Sequence, residues 1–324
     1  MTHRAGFDVG GTNARIHLFD ERWETVGQRR ERIRDHTTPG EVAATLIDML
    51  RDVCTEATIE LGDIEAAGIG LAGQLSTDGH TVLNAPNLGW RDVDFVEEFR
   101  SHWQRTGAEP PAAIRLVNDL NAQLWGEYVD GAVQGVDDVL AVYVGTGIGG
   151  AILSGGQLIT GAGHNAGEIG HSKVVVGGRP CGCGESGCVE AYAGGIHLER
   201  RVAAIANDSD DPELDALRTD EGIHLGVADS LADTHPQIGE IWEEATNYLA
   251  IVTANAITLL NPSVLLVGGG VMENCDVFRA MTLQKTIPLV LKVCRTGLAV
   301  EQASPGDGAG VRGAASLAAR DCQN

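Results

Sequence analysis

The sequence predicts an α/β protein of two related lobes with a cleft between them. Two blocks of the chain, residues 5–19 and 139–153, each have the pattern of a strand, a glycine turn and a second strand. Apolar segments with helical spacing follow both blocks. The chain has 324 residues, 43% of them hydrophobic, which is enough for the cores of two domains. We predict a smaller N-terminal lobe, 1–118, completed by a C-terminal helix at about 308–324, and a larger lobe, 119–307.

In the first lobe, two strands flank the turn Gly10-Gly11-Thr12, and a helix begins near Pro39. Thr38 and Glu41 have the spacing of a capping box, and proline is favoured in the first helical turn. The elements predicted for this lobe and for the start of the next are strands Ala5–Asp8 and Arg15–Phe19, the helix from Pro39, strands Ala66–Leu71 and Ile114–Val117, and helix Leu120–Tyr128.

The second block repeats this order around a longer glycine turn at residues 145–150. The last element is an alanine-rich helix that begins at the glycines near residue 308 and ends near Ala319. The predicted elements before it are strands Val139–Val144 and Ala151–Leu153, a long helix Ile238–Leu260 and the buried strand Val264–Val267.

Composition limits the possible functions. There are 45 acidic and 23 basic residues, a formal net charge of -22, and the acidic residues are spread along the chain. Such a surface suits a salt-rich, halophilic cytoplasm, where ions screen the self-repulsion. It argues against general nucleic-acid binding, which needs a basic face. The first residues contain no apolar signal core, and no apolar run could span a bilayer, so we expect a cytoplasmic protein.

The most specific motif lies between Glu168 and Glu190. One histidine and three of the seven cysteines fall in this stretch, namely His171, Cys181, Cys183 and Cys188. Thiolates and imidazole are preferred zinc ligands, and a reducing compartment favours metal binding over disulfides. We predict a structural Cys3His zinc site bracketed by two carboxylates.

Two glycine turns have the composition of phosphate loops. In Asp8-Val-Gly10-Gly11-Thr12 the glycines let backbone N–H groups approach an anion, Thr12 adds a hydroxyl, and Asp8 could help hold Mg²⁺. A plain hairpin turn is the alternative. Residues 145–150 match G-x-G-x-x-G, but two short strand-like segments follow instead of a helix. This context argues against a dinucleotide-binding fold and hence against an NAD-dependent dehydrogenase.

Asp119 is the candidate general base, because a carboxylate at the end of a strand, beside the amide of Asn118, can accept a proton from a sugar hydroxyl. An ordinary helix N-cap is the alternative for this pair. Asn87, in the loop that ends at Trp90, is a candidate contact to a sugar, and a turn with a buried tryptophan is the alternative.

Taken together, these motifs resemble the ROK family of sugar kinases and related repressors, within the actin/hexokinase-like (ribonuclease H-like) superfamily. The resemblance covers nearly the whole chain, and the loop at residues 86–90 is most like that of the glucokinases in the family. It rests on Asp8-x-Gly-Gly-Thr12, Pro86-Asn-Leu-Gly-Trp90, Asn118-Asp119, Gly145-Thr-Gly147, Glu168-x-Gly-His171, Cys181-x-Cys183-Gly-x-x-Gly-Cys188-x-Glu190, and Asn261-Pro262 with the glycines at 268–270.

The resemblance implies ATP- and Mg²⁺-dependent phosphorylation of a hexose at O6, with Asp119 as the base. The sugar-binding residues it implies are Asn87, Asn118, Asp119, Glu168, His171 and Glu190. The nucleotide and phosphate residues it implies are Asp8, Gly10, Gly11, Thr12, Asn13, Gly145, Thr146, Gly147, Gly268, Gly269 and Gly270. His171 would bind zinc through one ring nitrogen and face the sugar with the other.

Two positions depart from the family pattern. Asn13 stands where many relatives carry lysine, which leaves open which residue supplies positive charge near the phosphates, and Ala151 replaces a third glycine. Glucose is the favoured substrate, with fructose, mannose or an N-acetylhexosamine as alternatives. A sugar-sensing regulator is disfavoured, because the first strand begins within a few residues of Met1 and Asp119 is intact. Family habit suggests a homodimer or homotetramer.

Overall fold

The computed structural model describes residues 2–33, 38–208, 212–219, 222–306 and 308–322. Its strands are β1 His3–Val9, β2 Asn13–Phe19, β3 Thr25–Arg32, β4 Ile64–Leu71, β5 Gln74–Leu75, β6 Thr81–Ala85, β7 Trp90–Asp94, β8 Ala113–Asn118, β9 Val139–Val144, β10 Ile148–Ser154, β11 Gln157–Leu158, β12 Arg218–Thr219, β13 Gly222–Ile223, β14 Val264–Gly268 and β15 Ala299–Gln302.

The helices include every one predicted from sequence. They are α1 Pro39–Ala57, α2 Phe95–Gln104, α3 Asp119–Asp130, α4 Glu190–Ala193, α5 Gly195–Asn207, α6 Pro212–Asp215, α7 Leu225–Ser230, α8 Pro236–Leu260, α9 Gly270–Asn274, α10 Asp276–Leu289, α11 Lys292–Arg295 and α12 Gly308–Asp321. The capping box at α1 is present, because Thr38 and Glu41 each accept a hydrogen bond from the other's backbone N–H. Among the described residues, no helix is both long enough and apolar enough to cross a membrane.

The chain forms two compact units. The first comprises Met1–Gly135, Thr160–Ala166 and Ser304–Asn324, and the second comprises Val136–Ile159 and Gly167–Ala303. These units divide at residues 135 and 136, whereas the lobe boundary predicted from the sequence lies at 118 and 119. The difference is helix α3, which belongs to the first unit. There α3 packs on α12 so closely that any side chain at Gly126 or Gly313 would collide with the backbone of the other helix. Residues 307, 323 and 324 of the predicted C-terminal boundary lie outside the described residues.

The first unit is built on a five-stranded sheet of order β3-β2-β1-β4-β8. Strands β1, β4 and β8 are parallel, while β2 and β3 are antiparallel neighbours on one side. Helices α1 and α2 cover one face and bury Phe7, Leu46 and Phe99 in a common core. On the other face, Gly6 and Gly68 lie directly against the backbone of α12. The parallel strands therefore end at one edge of a rigid, two-sided sheet.

A fully buried carboxylate fixes the far end of α3. Glu127 accepts hydrogen bonds from the backbone N–H of Ala132 at 2.8 Å and of Ser304 at 2.8 Å, and from the Ser304 hydroxyl at 2.7 Å. A buried charge is tolerated when hydrogen bonds replace its water. The helix that begins at Asp119 is thus anchored at its other end to the segment leading into α12.

The second unit contains a second five-stranded sheet of order β11-β10-β9-β14-β15. Strands β9, β14 and β15 are parallel, and β10 runs antiparallel to β9. Helices α5, α8 and α10 contribute to its core, in which the rings of Trp242 and Phe278 meet edge to face at 6.0 Å. As in the first unit, glycine turns follow the carboxyl ends of the central parallel strands.

Candidate functional site

In the first unit, two predicted site segments and a third turn, at Gly73, lie at one edge of the sheet. The turn at Gly10 follows β1, the turn at Gly73 follows β4, and Asp119 comes directly after β8. Because these three strands are parallel, their carboxyl ends share an edge. In open α/β sheets, ligands bind in the crevice outside this edge.

The glycine turn of the first unit is packed against the Asn87 loop. Gly10 donates its N–H to the Asn13 carbonyl at 3.0 Å, which closes the hairpin. A Cβ atom on Gly11 would lie 3.3 Å from the Asn87 carbonyl oxygen, so the two turns are in contact. Asn87 is exposed, whereas Trp90 is buried and stacks on Phe95 at 5.0 Å. The buried tryptophan therefore holds the loop in place beside the turn.

Asn118 and Asp119 differ in their local roles. The Asn118 side-chain oxygen accepts hydrogen bonds from the N–H groups of Leu120 and Asn121 at 3.1 Å each, so it is the N-cap of α3. Its amide nitrogen donates to the Gly73 carbonyl at 3.4 Å. Asn118 is therefore a helix N-cap, as the alternative interpretation of this pair of residues expected, and its contact to a sugar stays a prediction. Asp119 is the first residue of the helix and is half-buried.

Asp8 is paired with a cation that the sequence analysis did not single out. The Arg15 guanidinium donates to Oδ2 of Asp8 at 3.2 Å, and the Asp8 side chain is 30% exposed. An accessible carboxylate beside a phosphate turn has the chemistry that Mg²⁺ requires, since this ion binds through one or two carboxylates together with substrate phosphates. Arg15 stands directly opposite Asp8 in the β1–β2 hairpin. Its pairing with Asp8 could therefore have been predicted only from the register of these two strands.

In the second unit, two glycine turns meet at the ends of β9 and β14. A Cβ atom on Gly269, whose φ is 88°, would lie 2.7 Å from the Val144 carbonyl oxygen. The other turn is braced by α5, where Gly195 donates its N–H to the Gly145 carbonyl at 2.9 Å. After this turn the chain continues into β10 and not into a helix. The sequence predicted a strand here in place of the helix that a dinucleotide-binding fold requires, and the structure confirms that strand.

The four predicted metal ligands converge in the second unit. The ligand atoms of His171, Cys181, Cys183 and Cys188 all lie within 4.8 Å of one another. The sulfurs of Cys183 and Cys188 are 3.7 Å apart, and Cys181 Sγ is 3.7 Å from His171 Nδ1. A tetrahedral zinc ion with Zn–S bonds of about 2.3 Å holds its sulfur ligands about 3.8 Å apart. The donor set and its spacing therefore fit Zn²⁺.

The surroundings of these ligands are suited to a metal–thiolate centre. Lys173 donates to the sulfur of Cys188 at 3.1 Å, and this hydrogen bond raises the pKa of the lysine. Burial raises the pKa of the Cys181 thiol to about 12, so a metal must displace a proton to bind there. Three thiolates around Zn²⁺ leave one net negative charge, which the Lys173 ammonium can offset. Lys173 was not predicted from sequence, although it follows His171 by two residues.

The predicted sugar-binding residues of this unit surround the same centre. His171 turns Nδ1 toward the cysteines, while Nε2 lies 3.8 Å from a carboxylate oxygen of Glu168. Glu190 accepts a hydrogen bond from the Ile148 N–H at 2.8 Å and lies 3.5 Å from the Cys181 sulfur. Any side chain at Gly147 would collide with the Glu190 carboxylate. The metal ligands, the carboxylates and the glycine turn thus form one connected structure.

A family model described as "ROK family" matches residues 4–321. The chain belongs to the ROK family. It is 30% identical over 323 residues to N-acetyl-D-glucosamine kinase of Yersinia pseudotuberculosis, covering 96% of this chain and 97% of that protein. It is also 32% identical over 280 residues to glucokinase of Streptomyces coelicolor, covering 84% and 83% of the two chains.

Solved ROK structures share the fold. The ROK glucokinase of Streptomyces griseus, crystallised with glucose and AMPPNP, has a TM-score of 0.78 and 31% identity, covering 98% of this chain and 99% of that one. ROK hexokinase of Thermus thermophilus has a TM-score of 0.79 and 26% identity, covering 99% of each chain. These similarities confirm the predicted two-lobed, actin/hexokinase-like α/β fold.

Proposed function

We propose that this ROK protein is an ATP-dependent hexose kinase that phosphorylates glucose at O6, giving glucose 6-phosphate and ADP. The observation that carries the proposal is that Asp119 and the turn Gly10–Thr12 follow parallel strands of one sheet and lie at its carboxyl edge. Phosphoryl transfer needs an acceptor hydroxyl, a base and a phosphate-binding loop held in fixed positions.

In this mechanism, Asp119 accepts the proton of the O6 hydroxyl as that oxygen bonds to the γ-phosphorus. The bond between the γ-phosphorus and the bridging oxygen breaks, and ADP leaves with that oxygen. Helix α3 holds the base in place, because it is capped by Asn118 at one end and anchored through Glu127 at the other. A positioned carboxylate of this kind contributes about 10²–10⁴-fold to the rate.

The remaining residues would position the two substrates. The residues proposed to hold glucose are Asn87, Asn118, Glu168, His171 and Glu190. Carboxylate oxygens accept hydrogen bonds from sugar hydroxyls, and the Nε2–H group of a zinc-bound imidazole donates one to a hydroxyl oxygen, which sets the orientation of the ring. Backbone N–H groups of the glycine turns and the hydroxyls of Thr12 and Thr146 would donate to the phosphates. The glycines at 268–270 would border the nucleotide, and Asp8 is the carboxylate suited to Mg²⁺, which offsets phosphate charge when bound.

We propose zinc as the resident metal of the Cys3His site and the cytoplasm as the location. Cys181, Cys183 and Cys188 form no disulfide. A reducing compartment keeps such cysteines available and so favours metal binding over disulfide formation. Four protein ligands leave no coordination position for water, so the metal would be structural.

Glucose is favoured over N-acetylglucosamine by the similarity to Streptomyces glucokinases, one of them solved with glucose. The similarity to the Yersinia N-acetylglucosamine kinase makes that sugar the second candidate. A coupled assay of ADP formation over a panel of glucose, mannose, fructose and N-acetylglucosamine, in molar KCl, tests the proposal. We expect the highest kcat/KM with glucose. A higher kcat/KM with N-acetylglucosamine would make that sugar the substrate in place of glucose. No turnover with any hexose would refute the proposal that the protein is a hexose kinase.

We also propose that the protein is an oligomer of identical subunits, in contact through an apolar surface of the second unit. This surface is formed by the ends of α8 and α10 and by α11, and its exposed residues are Leu259, Leu260, Leu289, Leu291 and Val293. The Leu291 N–H donates to Thr258 Oγ1 at 3.2 Å, so the segments adjoin. No Asp or Glu occurs in residues 245–263 or 277–300. In a chain of net charge -22, this is a face where two copies can approach without acidic repulsion.

Replacing Leu259 with glutamate should shift the protein from dimer or tetramer to monomer. This side chain is 85% exposed, so the change introduces charge into the contact without disturbing the core. Light scattering after size-exclusion chromatography measures the molar mass. The same substitution at Leu83, which is 40% exposed in the first unit, is the control and should leave the mass unchanged. A monomeric wild-type protein would contradict the proposal.

A further inference from the structure

Strand β3, at the edge of the first sheet, carries arginines that the proposed mechanism does not use. Arg30 stands opposite Arg15, which itself stands opposite Asp8, so the three form one row across β1, β2 and β3. Arg32 stands opposite Asn13, one step nearer the glycine turn. Residues directly opposite in antiparallel strands project from the same face of the sheet. Three arginines therefore share a face with Asp8.

The edge strand is tied directly to the phosphate turn. Ile33, the residue after β3, donates its N–H to the Thr12 carbonyl at 2.8 Å. Arg32 is thereby held beside the turn that the proposed function assigns to the phosphates. Asn13, an uncharged residue, follows the same turn.

The opposite face of β3 is neutralised, which makes the arginine face distinctive. Arg29 projects from that opposite face and forms ion pairs with Glu31 at 2.9 Å, Asp52 at 3.1 Å and Glu56 at 3.5 Å. In the described part of the chain, neither Arg30 nor Arg32 forms an ion pair, and both are exposed. Among the described residues, the ion pairs made by the arginines of β3 all lie on the Arg29 face.

This arrangement has an energetic cost. Like charges directly opposite each other destabilise an antiparallel pair, and Arg30 stands directly opposite Arg15. An anion bound over the row would relieve the repulsion and would gain charge-assisted hydrogen bonds from guanidinium groups, which match phosphate oxygens in geometry. The alternative is that edge-strand charges only prevent association with other sheets.

We propose that Arg15, Arg30 and Arg32 form a cationic wall that binds the phosphate chain of the nucleoside triphosphate. The inference rests on the proposed kinase function and deepens it, since it names residues that supply positive charge to the phosphates. Arg32 and Arg30 lie along the edge strand and Arg15 lies next to Asp8, so the wall runs from the glycine turn toward the carboxylate suited to Mg²⁺.

Calorimetric titration of Arg30→Gln and Arg32→Gln with Mg²⁺·AMPPNP and with Mg²⁺·tripolyphosphate tests the proposal. Each substitution should weaken both affinities about threefold to tenfold and raise the KM for ATP to match, with the KM for glucose within about twofold of wild type. The effect should shrink in molar KCl, because salt screens exposed charges. Arg22→Gln is the matched control, since it removes the same charge from an exposed turn of the same unit and should change neither affinity.

The outcomes separate this inference from the kinase proposal. If wild-type protein binds AMPPNP and the Arg30 and Arg32 variants bind it as tightly as the Arg22 variant does, the wall is refuted and the kinase proposal stands. If wild-type protein binds neither phosphate ligand, both fail. Since both arginines are exposed on an edge strand, circular dichroism and the melting temperature should match wild type, and an unfolded variant would contradict that expectation.

Discussion

Replacing Asp119 with asparagine should lower kcat about 10²–10⁴-fold while leaving glucose affinity within a few-fold of wild type. An amide keeps the size and hydrogen-bonding reach of the carboxylate but cannot take up the O6 proton. Because Asp119 is the first residue of α3 and Asn118 supplies the cap, the substitution preserves the start of the helix. The loss should therefore appear in the chemical step and not in folding or sugar binding.

The measurement pairs a coupled kinase assay with calorimetric titration of glucose. Asp130→Asn makes the same chemical change at the other end of the same helix, where the carboxylate is exposed and pairs with Arg312 at 3.2 Å. Asp130 is 56% exposed and Arg312 is 20% exposed, and ion pairs near the surface contribute about 0–1 kcal/mol to stability, so this control should retain nearly full activity. If the Asp119 variant keeps a rate comparable to that of the control, another group is the base.

Much of the fold was predictable because its signals are local. The capping box of α1 and the hairpin around residues 10–12 involve residues close together in sequence, where propensity and turn chemistry act directly. The division at residues 135 and 136 could not be predicted, because the position of α3 depends on its contact with α12, which lies almost two hundred residues further along the chain. Glycines at 126 and 313 make that contact possible, and no local pattern reveals it.

The candidate site shows the same division. The clustering of His171 with three cysteines could be predicted, because the four residues fall within one short segment and are of the types that bind zinc. The arginines near Asp8 could not, because their shared face depends on the pairing register of β1, β2 and β3. Strand β3 carries polar residues on both faces, so its pattern alone did not identify it as a strand.

Replacing Cys183 with serine should remove zinc and abolish kinase activity. Cys183 is exposed, so the substitution leaves the core intact, and its effect must arise through the metal. Loss of one ligand frees the loop that holds His171 beside Glu168, and Glu190 loses the ordered Cys181 next to its carboxylate. Because removing even an outer-shell partner costs about 10–100-fold in metal affinity or activity, losing a direct ligand should exceed that. Elemental analysis should find well under one equivalent of zinc, and glucose binding should be lost.

Cys322→Ser is the matched control, because that cysteine is also exposed but belongs to the first unit, and it should keep zinc and activity. Full zinc content in the Cys183 variant would show that the ligand set is wrong.

Exchange of the metal for another ion distinguishes a structural role of the metal from a catalytic one. A Cys3His shell leaves no position for water, so protein reconstituted with Co²⁺ should phosphorylate glucose at nearly the wild-type kcat. A metal that took part in the reaction would instead change kcat with its identity, since Lewis acidity differs among the ions. If the Co²⁺ protein keeps the wild-type kcat and the metal-free protein loses glucose binding, the metal acts by holding the residues that bind the sugar.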